Sequence, residues 1–238
     1  MRRSAGPRYR SSISKAAIER VIERYPSGAK KRVEYRVGPE AVGTRTFHET
    51  GEPEGEWPER SGVRHGLEYR WDEAGVLLSA EPYVDGLPHG VAKQWQEGEL
   101  IGSYTMVRGT GWDLWWGRRD DGERCLCEAR HVVDGHRDGC EWWICDDQRS
   151  VYEESHFRRG TPHGIERRWN SEGRLRRGYP KYWVNGTQVP KRAYVAACKR
   201  DATLPLFREQ DNAPGRRFEA EVAAALGPAQ RNRSAPRS

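Results

Sequence analysis

Short stretches rich in Trp, Tyr and Val alternate with glycine-containing polar turns along most of this 238-residue chain. A strand places alternate side chains on opposite faces, so residues of equal parity within a stretch share a face. The stretches are too short for helices, and glycine supplies the positive φ that tight turns need. The pattern therefore predicts antiparallel β-hairpins joined into a meander.

The hairpin pattern recurs with a period of about 24 residues, and this repeat governs the interpretation of the rest of the chain. Each copy starts with a pair of glycines, and a Trp usually stands five residues after the second glycine. Four pairs have a regular spacing of four residues: Gly62, Gly66, Gly86, Gly90, Gly135, Gly139, Gly160 and Gly164. A fifth pair, Gly109 and Gly111, is two residues shorter, and Gln148 stands where the other copies carry a later turn glycine.

The repeats predict an all-β fold, an elongated single-layer antiparallel β-meander of stacked hairpins with about ten to fourteen strands and short helical caps at both ends. The predicted segments are a disordered basic tail over 1–12, an N-terminal helical cap and lead-in strand over 13–37, the hairpin repeats over 38–178, a C-terminal hairpin and helical cap over 179–226, and a second disordered basic tail over 227–238.

Local signals define the two caps. Apolar residues on helical spacing predict a short amphipathic helix over 14–25: Ile18, Val21, Ile22 and Tyr25. Towards the other end, Asn185 and Gly186 predict a hairpin turn. Pro190 predicts the first turn of a helix that continues to about Arg200, and a further short helix is predicted over 216–226.

The glycine pair, the following aromatic residue and the later turn glycine resemble MORN repeats, in the diverged bacterial form called the MORN-repeat variant. The matching segment runs from about Gly62 to Gly178, and a weaker copy with Gly38, Gly43 and Gly51 precedes it. Proteins of this family are described as YwqK-family antitoxins of toxin–antitoxin systems. The resemblance therefore implies an antitoxin-like protein whose partner is a protein such as a toxin.

The net charge of +6 conceals a partition along the chain. Residues 1–36 hold 11 basic and 3 acidic residues, and residues 174–238 hold 14 and 5. Residues 37–173 hold 16 basic and 27 acidic residues, a net charge of −11. The predicted repeats would repel phosphate, so any attraction to nucleic acid is expected from the basic termini.

Five cysteines, an odd number, do not form a disulfide framework in a chain of this length, so we expect a reducing, cytoplasmic location. The basic N-terminal stretch lacks the apolar run of a signal peptide, and no stretch is apolar enough for a transmembrane helix. The spacing of Cys125, Cys127, Cys140 and Cys145 invites comparison with a zinc site, but neither pair has the usual two-residue separation. We interpret these cysteines as plain buried or edge thiols, and we expect neither a metal nor a cofactor.

His65, His89 and His163 each precede the second glycine of a pair, and a residue that recurs with a repeat usually serves the repeat. We therefore expect a turn or packing role for them. No arrangement typical of a nucleophilic triad, a phosphate-binding loop or a zinc protease is present in the sequence. The prediction is a protein that is not an enzyme and has no catalytic residues.

The two faces of the strands differ in character. Counted from the second glycine, most tryptophans stand at odd positions and are expected to pack: Trp71, Trp95, Trp112, Trp116, Trp142 and Trp169. Trp115 and Trp143 stand on the other face, together with a row of acids that we expect to be solvated or to face a partner: Glu68, Asp113, Glu141 and Glu166. These six residues are the candidate partner-binding site. The alternative is that a terminal helix covers the two tryptophans.

The sequence favours a non-enzymatic protein-binding module that uses this acidic, aromatic-bearing face to bind a basic partner. The alternative is a protein associated with nucleic acid or ribonucleoprotein through its basic termini. A scaffold at a membrane ranks third, because anionic lipid would repel the acidic middle of the chain.

Overall fold

A computed structural model describes residues 9–227 of the chain. The chain divides into two compact units between Thr110 and Gly111, and each unit holds one antiparallel sheet. This boundary lies inside the predicted repeat region over 38–178. The predicted basic tails fall mostly on residues 1–8 and 228–238, which lie outside the described residues.

The first unit contains a ten-stranded sheet built from successive hairpins. Its strands are β1 (Ile18–Arg24), β2 (Lys30–Val37), β3 (Glu40–Phe47), β4 (Pro53–Arg60), β5 (Val63–Arg64), β6 (Gly66–Trp71), β7 (Leu77–Val84), β8 (Leu87–Pro88), β9 (Gly90–Gln96) and β10 (Glu99–Met106). The strands follow one another in chain order across the sheet, and the two-residue strands β5 and β8 pair with β4 and β7.

The second unit contains an eight-stranded sheet with the same sequential order. Its strands are β11 (Gly111–Arg118), β12 (Arg124–Val133), β13 (His136–Ile144), β14 (Val151–Arg158), β15 (Thr161–Pro162), β16 (Gly164–Arg168), β17 (Lys181–Val184) and β18 (Thr187–Val189). The prediction of an all-β chain of successive hairpins is thus confirmed. Residues 9–227 form eighteen strands rather than ten to fourteen, and three of these strands are only two residues long.

The hairpin turns depend on two consecutive residues of positive φ. At one turn Asp85 has a φ of 50° and Gly86 a φ of 86°, and at another Asn185 has 46° and Gly186 has 79°. Two central residues of positive φ are the mark of the type I′ turn, whose twist matches that of the flanking strands. The predicted hairpin turn at Asn185 and Gly186 is confirmed by the pairing of β17 with β18.

The recurring histidines connect one turn to the next. The Nδ1 atom of His65 accepts a hydrogen bond from the backbone N–H of Asp85 at 3.3 Å, and His89 accepts one from Arg108 at 3.0 Å. In the second unit, Asp138 stands where these copies have His, and its carboxylate accepts the equivalent bond from the N–H of Arg159 at 3.1 Å. The prediction of a turn role for these histidines is confirmed.

Gln148, which replaces the turn glycine in one copy, also adopts a positive φ of 56°. Its buried side-chain amide compensates with four hydrogen bonds. The oxygen accepts from the N–H groups of Leu126 and Gly227, and the nitrogen donates to the carbonyls of Leu126 and Cys145. The residue therefore maintains the turn without glycine because its side chain is fixed on both sides.

The predicted N-terminal helix over 14–25 is wrong, because residues 18–24 form strand β1. β1 pairs with β2, with Val21 opposite Val33. Val and Ile lose rotamer freedom in a helix and pack well on a pleated sheet, so a partner strand wins over helical spacing here. Ile18 and Ile22 remain exposed.

The predicted disorder over 1–12 is wrong for residues 9–12, which lie across one face of the first sheet. The ring of Tyr9 packs edge-on against Tyr69, with ring centroids 4.9 Å apart. The hydroxyls of Tyr9 and Ser11 both donate to the carboxylate of Glu56, which is fully buried and also paired with Arg45. These contacts fix the segment because they add two hydrogen bonds to a buried carboxylate that Arg45 already neutralises.

Helices occur only near the C-terminal end of the described chain, as α1 (Lys191–Cys198), a 3-10 helix (Glu209–Asn212) and α2 (Ala220–Ala225). Buried Tyr194 of α1 packs against Tyr182 of β17, and its hydroxyl donates to the carbonyl of Pro205 at 2.7 Å. None of these helices is long and apolar enough to cross a membrane.

Candidate interaction face of the second sheet

One face of the second sheet is covered by the C-terminal segment of the chain. Trp112 and Trp142 stack with ring centroids 5.2 Å apart, and Phe218 packs edge-on against Trp142 at 5.4 Å. The indole N–H of Trp116 donates to the carbonyl of Ala225 at 3.2 Å. These tryptophans are buried, so their predicted packing role is confirmed.

Trp115 and Trp143 lie on the opposite face, away from these contacts. Strand register places Glu128 of β12 directly between them, opposite Trp115 on β11 and opposite Trp143 on β13. Both tryptophans are partly exposed. We name this surface the tryptophan face, and it consists of Asp113, Trp115, Glu128, Arg130, Arg137, Glu141, Trp143, Glu153, Glu166, Arg168 and Lys181.

Arg130 organises the carboxylates of β11, β12 and β13. Its guanidinium lies 2.6 Å from Glu128, 3.5 Å from Asp113 and 3.8 Å from Glu141. Arg137 adds a second cation 2.9 Å from Glu141. Two of the predicted site residues, Asp113 and Glu141, are therefore brought together through an arginine that the sequence analysis did not single out.

Glu166 lies at the far side of the tryptophan face. Its carboxylate accepts a hydrogen bond from the indole N–H of Trp183 at 3.0 Å, and it lies 3.3 Å from Arg168. Arg168 also pairs with Glu153 at 3.0 Å. The acids at this end of the face are thus paired with an arginine in the same way as those around Arg130.

Glu68 belongs to the first unit and shares the pattern there. It is only 5% exposed and lies 3.0 Å from Arg64 and 3.4 Å from Arg70. Glu141 is likewise only 8% exposed. The expectation of a solvated acidic row is therefore wrong for these two residues, because cross-strand and i,i+4 arginines neutralise them and cover them with their long side chains.

Burial changes the acidity of two carboxylates on the tryptophan face. Desolvation raises the pKa of Glu128 even though Arg130 opposes it, and desolvation raises the pKa of Glu153 against the opposing charge of Arg168. The face carries five carboxylates and four basic groups, so its negative charge is mostly compensated within the sheet. A partner would meet the indole rings of Trp115 and Trp143 in a nearly balanced network of ion pairs.

A second buried network lies on the covered face. Glu154 pairs with Arg167, and it also accepts hydrogen bonds from Arg216 at 2.6 Å and from the indole N–H of Trp142 at 3.1 Å. Burial raises the pKa of Glu154, but the charges of His156, Arg216 and Arg167 outweigh it and lower that pKa to about 2. The alternation of Glu153 and Glu154 along β14 is the sequence signal that separates the two networks, since neighbouring residues point to opposite faces.

The four cysteines considered for zinc are not gathered at one point. Cys140 is the cross-strand partner of His156, next to the network of Glu154. Cys125 and Cys127 lie together on the side of the tryptophan face. Within residues 9–227, no group of three or more His, Cys, Asp or Glu side chains is arranged to hold a metal ion.

Comparison with protein-family models gave no match, and a search of curated proteins found no similar sequence.

Proposed function

We propose that this chain is a non-enzymatic protein-binding module and that a basic protein partner docks on the tryptophan face. The observation that carries the proposal is the placement of Trp115 and Trp143 on either side of Glu128, opposite the face that the C-terminal segment covers. Partly exposed indole rings held in a rigid sheet are the kind of side chain that anchors protein interfaces.

The surroundings of the two tryptophans support this proposal. The ring of Trp143 packs beside the ring of Tyr152, with ring centroids 6.1 Å apart and planes tilted by 53°. The net charge of −11 over residues 37–173 lies mostly outside this nearly balanced face, and its longer-range field favours the approach of a basic partner.

We further propose that the hairpins are stacked repeats of the MORN-variant kind, arranged as a single-layer meander, and that the protein acts in the cytoplasm in an antitoxin-like role. Three features support the repeat: the sequential strand order within each sheet, the paired turn glycines of positive φ, and the His-to-turn hydrogen bonds. The antitoxin-like role rests on the resemblance of the glycine and aromatic pattern, and a toxin with a basic surface would suit the acidic middle of the chain.

The test uses the product of a neighbouring reading frame that is toxic when expressed alone. Binding of this product to the full chain is measured by biolayer interferometry, and rescue of growth is measured by co-expression. Trp143→Ala should speed dissociation and weaken rescue. Trp57→Ala is the matched control, because Trp57 is a partly exposed indole that stacks with Arg70 in the first unit, with 5.7 Å from the guanidinium to the ring centroid. Equal dissociation rates for wild type and Trp143→Ala would overturn the proposal.

Nucleic-acid binding through the basic termini is the second candidate, and the charges of the two ends favour it. Deleting 1–8 and 228–238 should then weaken binding to a short single-stranded RNA and reduce the salt dependence of that binding. Fewer phosphate contacts form in the truncated protein, so fewer counterions are released when it binds. The deletion spares residues 9–12, which hold Glu56. Tight RNA binding at physiological salt that Trp143→Ala leaves unchanged would replace the first proposal with this one.

A further inference from the structure

The thiols of Cys125 and Cys127 lie together at one point of the second sheet. Their Sγ atoms are 3.8 Å apart, although residues two apart on a regular strand stand farther from each other. The sheet register explains the approach. Trp115 pairs with Glu128 and Trp116 pairs with Leu126, so Cys127 is the extra residue of a β-bulge.

A glycine on the adjacent strand makes room for this arrangement. Gly117 of β11 pairs with Cys125, and a Cβ atom at Gly117 would lie 2.9 Å from the sulfur of Cys127. Any larger residue would therefore push the Cys127 thiol out of its position. The bulge and the glycine together hold two sulfur atoms side by side, with Cys125 buried and Cys127 partly open to solvent.

We propose that Cys125 and Cys127 form a two-sulfur binding site for a soft, thiophilic divalent cation. With metal–sulfur bonds of about 2.3 Å, sulfur atoms 3.8 Å apart subtend an angle of about 110° at the ion, close to the tetrahedral value. The remaining coordination positions would be taken by water or by an external ligand on the open side of Cys127. The site needs no third protein ligand, and it does not depend on the proposed protein-binding function.

The charges around the two thiols favour a cation. The Cys127 thiol interacts electrostatically with Cys125 and Glu128 on its own strand and with Asp146 in the turn between β13 and β14. It also interacts electrostatically with the hydroxyl of Tyr152 on β14. Binding of the ion releases the two thiol protons, and the charge of the dication offsets the negative charge of the two thiolates and the nearby carboxylates.

The experiment titrates the full chain with cadmium chloride, anaerobically and in a phosphine reductant. We expect one equivalent of Cd²⁺ to produce the thiolate-to-metal charge-transfer absorbance, with affinity that rises with pH because protons are released. Cys125→Ser and Cys127→Ser should each lose this band. Cys198→Ser is the matched control, since Cys198 lies in α1, and it should titrate like wild type.

Near-ultraviolet circular dichroism of each variant checks that the fold is kept. If buried Cys125→Ser fails to fold, Cys127→Ser alone decides, because its side chain is partly open to solvent. Gly117→Ala gives an independent readout: it keeps both sulfurs but should weaken Cd²⁺ binding by displacing one of them. The absence of the charge-transfer band in wild type would overturn the proposal, and so would its persistence in Cys127→Ser.

Discussion

The Nδ1 atom of His163 accepts a hydrogen bond from the backbone N–H of Asn185 at 3.1 Å, while its Nε2 atom lies 3.0 Å from the hydroxyl of Thr203. One imidazole thus joins a glycine turn to the next hairpin and to the segment that follows α1. His163 is only 1% exposed. Because Nδ1 accepts, the network assigns the ring proton to Nε2, which donates to the threonine.

His163→Ala should lower the free energy of unfolding by about 1–3 kcal/mol, because it leaves a buried donor without its acceptor. His65→Ala should cost less, since its bond to Asp85 is longer, at 3.3 Å, and the site is more open to water. Urea unfolding of both variants measures the difference. Equal losses would mean that burial of the turn donor does not matter.

Gly164→Ala should be among the more costly glycine replacements in the second unit. Gly164 has a φ of 142°, and a Cβ there would lie 2.5 Å from Cβ of His156 and 3.1 Å from Pro205. Strain and overpacking should each contribute about 1–3 kcal/mol. Gly160, with a φ of 78° and open space around its Cα, is the control that shows strain alone. Thermal unfolding compares the two variants. A larger loss of stability for Gly160→Ala than for Gly164→Ala would contradict the close packing around Gly164.

Glu154→Gln should destabilise the second unit by about 3–5 kcal/mol, since it leaves Arg167 and Arg216 buried with less negative charge. Glu153→Gln, one residue away on the other face, is the matched control and should have a small effect. Both variants keep the size of the side chain, so the comparison isolates charge. Urea unfolding at neutral pH measures it.

The same carboxylate predicts the response to acid. The folded pKa of Glu154 is lowered to about 2, below the usual value of about 4.3 for an unfolded chain. The stability that it contributes is therefore fully present above about pH 4.3 and is lost as the pH falls towards 2. Wild type should lose stability across this window, and Glu154→Gln should lose less. Parallel pH profiles of the two proteins would refute the assignment.

Trp142→Ala and Trp143→Ala should separate packing from interaction. Trp142 stacks on Trp112 under the C-terminal segment, so its truncation should cost about 3–5 kcal/mol of stability. Trp143 is partly exposed, and its truncation should cost clearly less in the isolated protein. Chemical unfolding without any partner makes the comparison, and the reverse order would mean that the two faces are misassigned.

Much of the fold could be predicted from the sequence because turn chemistry is local. A type I′ turn needs positive φ at two adjacent residues, and pairs such as Asn185 and Gly186 supply it wherever they stand. The parity of Trp142 and Trp143 likewise follows from the period of two along a strand. These are properties of a few consecutive residues. They are sufficient to predict the hairpins and the division of the tryptophans between two faces.

Residues 18–24 show where local pattern is insufficient. Their apolar spacing suits one face of a helix, yet they pair with β2 and form an edge strand. The same applies to Gln148, whose positive φ is held by hydrogen bonds to Leu126 and Gly227. In both places, a partner distant along the chain overrides the preference of the segment itself.

The sequence by itself determined that this protein is made of β-hairpins and which residues stand in its turns, since neighbouring residues decide backbone φ. Only the tertiary structure decided that Arg130 lies among Asp113, Glu128 and Glu141, and that Cys125 and Cys127 meet at a bulge. These contacts depend on strand register, and a shift of one residue would turn every one of these side chains to the other face of the sheet.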